Sequence, residues 1–213
     1  MKPLSLFLLT SLLCLGSTQA ATVITETYSK AVSSLIPDGD VNGVLQTIEV
    51  SGSSLIGIDQ IIVAITTTGC WNGDLYAYLW HDGVLTVLLN RPGRALSQPG
   101  GSGTSGMTLT LADTALTDVH TAAGALIGAF QPDGRFIDPS LSLDTTPRTD
   151  LLADFTSTSP NGTWRLFIAD VAGGDEATLV SWSLSLTGTS VPEPASIGLL
   201  SFAGFLALRR RRS

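Results

Sequence analysis

From Val180 to Thr187 the chain alternates without a break: Val180, Trp182, Leu184 and Leu186 are apolar, and Ser181, Ser183, Ser185 and Thr187 are small and polar. A period of two places successive side chains on opposite faces of a β-strand, so one row enters a core and the other meets water. Trp164, Leu166 and Ile168 repeat the device. Ile58–Thr67, Leu75–Trp80, Val44–Val50, Val84–Leu89 and Met107–Leu111 are further short runs rich in β-branched, aromatic or other apolar residues. Turn clusters separate them, among them Asn72-Gly73-Asp74, His81-Asp82-Gly83, Pro132-Asp133-Gly134, Pro160-Asn161-Gly162 and Gly173-Gly174-Asp175. No long amphipathic helix is legible, and the glycine- and hydroxyl-rich stretch Gln98–Gly106 reads as a mobile surface loop. Many short strands with turns between them predict an all-β fold, an antiparallel β-sandwich or jelly roll.

The two ends read differently from the body. Lys2, an apolar stretch from Leu4 to Leu15 and small residues up to Ala20 have the order of a signal peptide spanning 1–20, with cleavage after Ala20. At the other end, residues 190–213 hold Val191-Pro192-Glu193-Pro194, an apolar run from Ala195 to Leu208, and Arg209, Arg210, Arg211 and Arg212. A polar, apolar, basic order inserts into a bilayer with its cationic end cytoplasmic. As a helix, however, that run covers only about 21 Å of the roughly 30 Å hydrocarbon core. It is therefore expected as a short hydrophobic helix that anchors a precursor, or as a processing signal that is later removed; a permanent C-terminal anchor is the plainer alternative. This tail resembles the PEP-CTERM sorting signal of exported proteins in biofilm- and exopolysaccharide-forming Gram-negative bacteria. The resemblance implies transient membrane insertion, processing by an exosortase, and final residence at the cell surface or in the extracellular matrix.

Between the ends lies one expected domain, residues 21–189. From Ala21 to Val191 it carries Lys30, Arg91, Arg94, Arg135, Arg148 and Arg165 against seventeen acidic residues, a net charge of −11. Such a body repels a phosphate backbone, which excludes nucleic acid as the expected partner. Cys70 is its single cysteine, so no internal disulfide is available, and next to Trp71 it reads as a small buried apolar residue.

A second resemblance covers most of this body. Ile36-Pro37-Asp38, Gly73-Asp74-Leu75, Gly162-Thr163-Trp164-Arg165-Leu166 leading to Asp170, Gly174-Asp175, and Ser181-Trp182-Ser183-Leu184 resemble the P domain (P/Homo B) of kexin- and furin-type proprotein convertases. It implies a jelly roll, similar to galactose-binding-like folds, that elsewhere stabilises a neighbouring subtilisin-like protease. Catalysis is not expected here. His81 and His120 are the only candidate bases, both read as turn or surface residues, and Ser105 fails the Gly-x-Ser-x-Gly spacing of a nucleophile elbow. The expected function is thus an exported, non-catalytic binding or structural module associated with exopolysaccharide. The alternatives are an accessory domain for a separately encoded serine endopeptidase, or a carbohydrate-binding module.

Two constellations carry chemistry. Asp38-Gly39-Asp40-Val41-Asn42-Gly43 has the alternating oxygens and glycine turns of a calcium loop, predicting Ca²⁺ ligands from Asp38, Asp40, Asn42 and the Val44 carbonyl. A polar turn capping a strand accounts for the same residues without an ion. Tyr76, Tyr78 and Trp80 share one face of a strand, either as core packing or as an exposed row on which sugar rings stack. Asn161-Gly162-Thr163 is a formal glycosylation sequon that reads more simply as a turn.

Overall fold

A computed structural model describes residues 20–190; the expected signal peptide before Ala20 and the expected sorting motif from Val191 to Arg212 lie outside the described residues. Among the described residues nine strands form two sheets. The five-stranded sheet has the order β1 (Thr22–Ile36), β9 (Ala177–Ser190), β3 (Gln60–Trp71), β6 (Ser105–Leu111), β7 (Leu126–Phe130). The four-stranded sheet has the order β2 (Val44–Val50), β8 (Gly162–Asp170), β4 (Leu75–His81), β5 (Val84–Asn90). The fold is all-β, as the alternation predicts. One pair departs from the antiparallel expectation, since β6 and β7 run parallel and are joined by a long connection. Helix is confined, among the described residues, to three short 3₁₀ turns.

The core lies between the sheets. Ile61, Val63 and Ile65 of β3 stand beside Leu186, Leu184 and Trp182 of β9. Facing them are Trp164, Leu166 and Ile168 of β8 with Ala77 and Leu79 of β4. Burying each of the branched aliphatic side chains among these stabilises the fold by about 1.5–3 kcal/mol. On the outer face of the five-stranded sheet the small polar row pairs across strands, with Thr25 bonded to Thr187 at 2.7 Å and Thr27 to Ser185 at 2.9 Å.

Within β9 the period of two breaks once. Register shifts next to Val180 against both β1 and β3, a β-bulge that leaves Val180 half-buried while Leu179 and Ala177 continue the buried row. Val180 is therefore not the start of the inward row that the alternation indicates. Opposite it on β1, Ser33 adopts φ 51°.

Three other expectations are corrected. His81 is not a turn residue: it ends the inward row Leu75, Ala77, Leu79, His81, and the hairpin turn is Asp82-Gly83 alone, with φ 47° and 82°. His120, on the turn Val119–Thr121, is also buried. The stretch Gln98–Gly106 is tied down, because Ser102 and Thr104 carbonyls accept the Gly73 and Asn72 N–H groups at 2.9 and 2.8 Å, and Ser105-Gly106 open β6. Gly73 makes this approach possible: a Cβ there would lie 2.5 Å from the Ser102 nitrogen.

Candidate functional sites

At one end of the sandwich the β1–β2 turn packs against the β8–β9 turn. Asp38 accepts the Gly174 N–H through both oxygens, at 2.9 and 3.2 Å. Asp40 Oδ1 instead takes the backbone N–H and side-chain amide of Asn42, at 2.9 and 2.8 Å, which is an Asx turn. Val44 pairs with Ile168 in the β2–β8 ladder. These contacts account for the polar residues as a turn, and they aim Asp38 and Asp40 at different partners.

Acidic groups meet deeper in this end, around Asp74 at the start of β4 and Asp170 at the end of β8. Both are buried and adjacent, since Leu75 pairs with Asp170 and the Val171 N–H donates to the Asp74 carbonyl. Burial pushes the Asp170 carboxyl up, and Asp74 and Asp38 raise it further against the Ala172 N–H. Burial likewise raises Asp74, opposed by the Arg91 guanidinium at 3.4 Å. Asp170 Oδ2 has no hydrogen-bond partner, an arrangement of oxygens and charge that suits a hard cation. Among the described residues, however, no group of three or more His, Cys, Asp or Glu side chains surrounds a single point. Cys70 adjoins this cluster; burial, then the Asp170 charge, pushes its thiol up to about 12, so it stays a protonated apolar residue.

A buried polar network was hidden from sequence reasoning. His120 donates from Nδ1 to Asp133 at 2.8 Å, while its Nε2 lies 2.9 Å from the Arg94 carbonyl. Arg135 bonds Asp133 at 3.2 Å and Asp118 at 2.8 Å. Together these residues hold the long connection after β7 against β5, where Asn90 donates to the Arg135 and Ile137 carbonyls. Only the turn Pro132-Asp133-Gly134 was legible; nothing local to it announces a partner thirteen residues away. His81 is equally committed, with both ring nitrogens against carbonyl oxygens, of Thr163 at 3.1 Å and Ser159 at 2.7 Å, and its ring stacked 3.9 Å from Trp164.

The aromatic row lies on the outer face of the four-stranded sheet, which rules out core packing. Tyr76, Tyr78 and Trp80 are half-buried while their neighbours Ala77 and Leu79 point inward. Phe167 of β8 stacks on Tyr78 at 4.8 Å, and Tyr76 sets its ring at 61° and 64° to that pair. The Arg165 guanidinium lies 4.5 Å over Trp80. Burial, and then neighbouring Tyr78, pushes the Tyr76 hydroxyl up to about 12.

The fold and these sites define an all-β sandwich, part of which is similar to a known family. A family model described as proprotein convertase P-domain matches residues 105–186, from β6 to most of β9. The fragments Gly162–Leu166, Gly174-Asp175 and Ser181–Leu184 fall inside that span; Ile36–Asp38 and Gly73–Leu75 fall outside it. No curated protein matches the chain. Among solved structures it is similar to the serine protease of Aeromonas sobria in complex with the chaperone ORF2, at 16% identity and TM-score 0.47, covering 80% of this chain and 28% of that one. The same protease solved alone gives 17% identity, TM-score 0.46, and coverage of 78% and 27%. Dimeric latent PorU from Porphyromonas gingivalis gives 10% identity, TM-score 0.37, and coverage of 84% and 14%. The chain thus spans little more than a quarter of the protease chains it resembles.

Proposed function

We propose that the chain is an exported, non-catalytic module that works by binding, carried out of the cell by the signal peptide 1–20 and sorted by an exosortase through Val191-Pro192-Glu193-Pro194 and Arg209–Arg212 to the cell surface or exopolysaccharide matrix. The observation that carries the non-catalytic reading is the state of its two histidines. Both ring nitrogens of His81 and of His120 already face protein acceptors, so neither is free to take a proton from a nucleophile. Calcium, held as a structural ion by Asp38, Asp40, Asn42 and the Val44 carbonyl, belongs to the same reading; the alternating oxygens of that loop support it.

A second reading is favoured by the P-domain match: an accessory domain that assists a separately encoded serine endopeptidase. Two experiments separate the readings. Replacing Val191-Pro192-Glu193-Pro194 by alanine should stop release of processed protein into medium or matrix, and affinity purification from the native envelope should bring down no peptidase activity. Unchanged release overturns the sorting reading, and a co-purifying protease that loses stability without this chain transfers the conclusion to the second.

A further inference from the structure

Beside the aromatic row the sandwich has two contiguous grooves. One, of about 390 Å³, is lined by Tyr76 and Phe167 with Val41, Arg91, Asp138 and Ser140 among its walls. The next, of about 320 Å³, shares Tyr76, Asp138 and Pro139 and adds Phe136 and Ile137. Their volumes fall in the range of ligand sites, which pair apolar walls with a few convergent polar groups.

The polar groups are fixed and incompletely used. Arg91 has a backbone φ of 56°, a conformation non-glycine residues adopt rarely and mostly where the surroundings enforce it. Its guanidinium is held by the Gly73 carbonyl at 3.0 Å and by Asp74 at 3.4 Å, and Nη1 has no partner among the described residues. Asp138 uses Oδ1 to accept from the Ser140 N–H and hydroxyl, at 2.8 and 2.6 Å, leaving Oδ2 without a partner. The groove therefore offers a free donor, a free acceptor and aromatic rings within one small site.

We infer that this groove binds a neutral oligosaccharide, with sugar C–H faces on Tyr76 and Phe167 and ring hydroxyls on Arg91 and Asp138. The chemistry selects that class. A hydroxyl both donates and accepts, so a polyol satisfies the guanidinium and the carboxylate together, whereas a purely apolar partner would strand both. A polyanion meets Asp138 and a body of net charge −11. The inference deepens the proposed binding role by naming its ligand, and its test does not depend on export.

The full chain, purified in detergent, is titrated by calorimetry with cellohexaose, maltohexaose, laminarihexaose and mannohexaose, and with polygalacturonate as the anionic comparison. At least one neutral hexaose should bind with a Kd between micromolar and millimolar, and Tyr76→Ala and Asp138→Ala should each weaken it by about tenfold or more. Asp138 is exposed, so its variant should keep the wild-type melting temperature and carry the test even where Tyr76→Ala loses packing. Absence of binding by all four neutral sugars, binding of polygalacturonate alone, or affinity that survives Asp138→Ala overturns the inference. Failure of secretion in the tail variant leaves it standing.

Discussion

Replacing Asp133 by alanine removes the one anion that three donors share. The Asn90 N–H, His120 Nδ1 and Arg135 Nη1 lie 3.0, 2.8 and 3.2 Å from its oxygens, and His120 and Asp133 are wholly buried. Removing one partner of a buried pair costs about 3–5 kcal/mol, because the charge left behind is desolvated without compensation. The orphaned Asn90 N–H contributes within that range, so a loss of about 4 kcal/mol is expected. With a urea m-value of about 2 kcal/mol per M, the unfolding midpoint should fall by roughly 2 M. Asp133→Asn keeps the shape and one acceptor and should lose about half as much. Titration gives a second signature. Burial alone would lower the His120 pKa, but the hydrogen bond and charge of Asp133 and the Arg94 carbonyl raise it. A raised histidine stabilises the fold fully below its unfolded value of about 6.5, and that contribution is lost as pH rises through the folded value. Wild-type stability should therefore decline above about pH 6.5, and Asp133→Asn should flatten that decline. An alanine variant within about 1 kcal/mol of wild type, or an unchanged slope in the asparagine variant, would refute the assignment of this network as an anion-centred clamp.

Two further outcomes are expected. Calcium should raise the melting temperature relative to chelator, and Asp40→Ala should abolish that increment, read by differential scanning fluorimetry; equal midpoints in wild type with and without calcium remove the ion from the account. Gly43→Ala puts a Cβ against the Ile168 carbonyl and 2.7 Å from the Ala169 Cβ at φ 48°, and should cost about 3 kcal/mol or more by urea unfolding. Gly52→Ala, at φ 68° with open space around it, should cost only the backbone share of about 1–2 kcal/mol; equal losses at the two sites would sink the steric explanation.

The strands were legible because their residues satisfy one face at a time. Val44–Val50 is a strand with the expected bounds, and Leu75–Trp80 and Val84–Leu89 need only one residue more. What pattern reading missed depends on partners distant in sequence. Val180 is apolar and on beat, yet the bulge against β1 and β3 turns it out of the buried row, and no local property encodes that slip. His81 continues an inward row that ends one residue later than the turn cluster His81-Asp82-Gly83 indicates. Asp38 and Asp40 have calcium-loop spacing, but the Gly174 N–H arrives from 136 residues away to claim the first. The aromatic row was visible as a row; which side of the sheet it faces depends on the other sheet.

The first residue of β1 and the last of β9 are partners: Thr22 stands opposite Ser190. Ser190 also ends a strand hydrogen-bonded on both flanks, to β1 and to β3. Tension directed along β9 from Ser190 against the far end of the sheet loads both ladders lengthwise, so their bonds share it, whereas tension between Thr22 and Ser190 peels β1 from β9 one bond at a time.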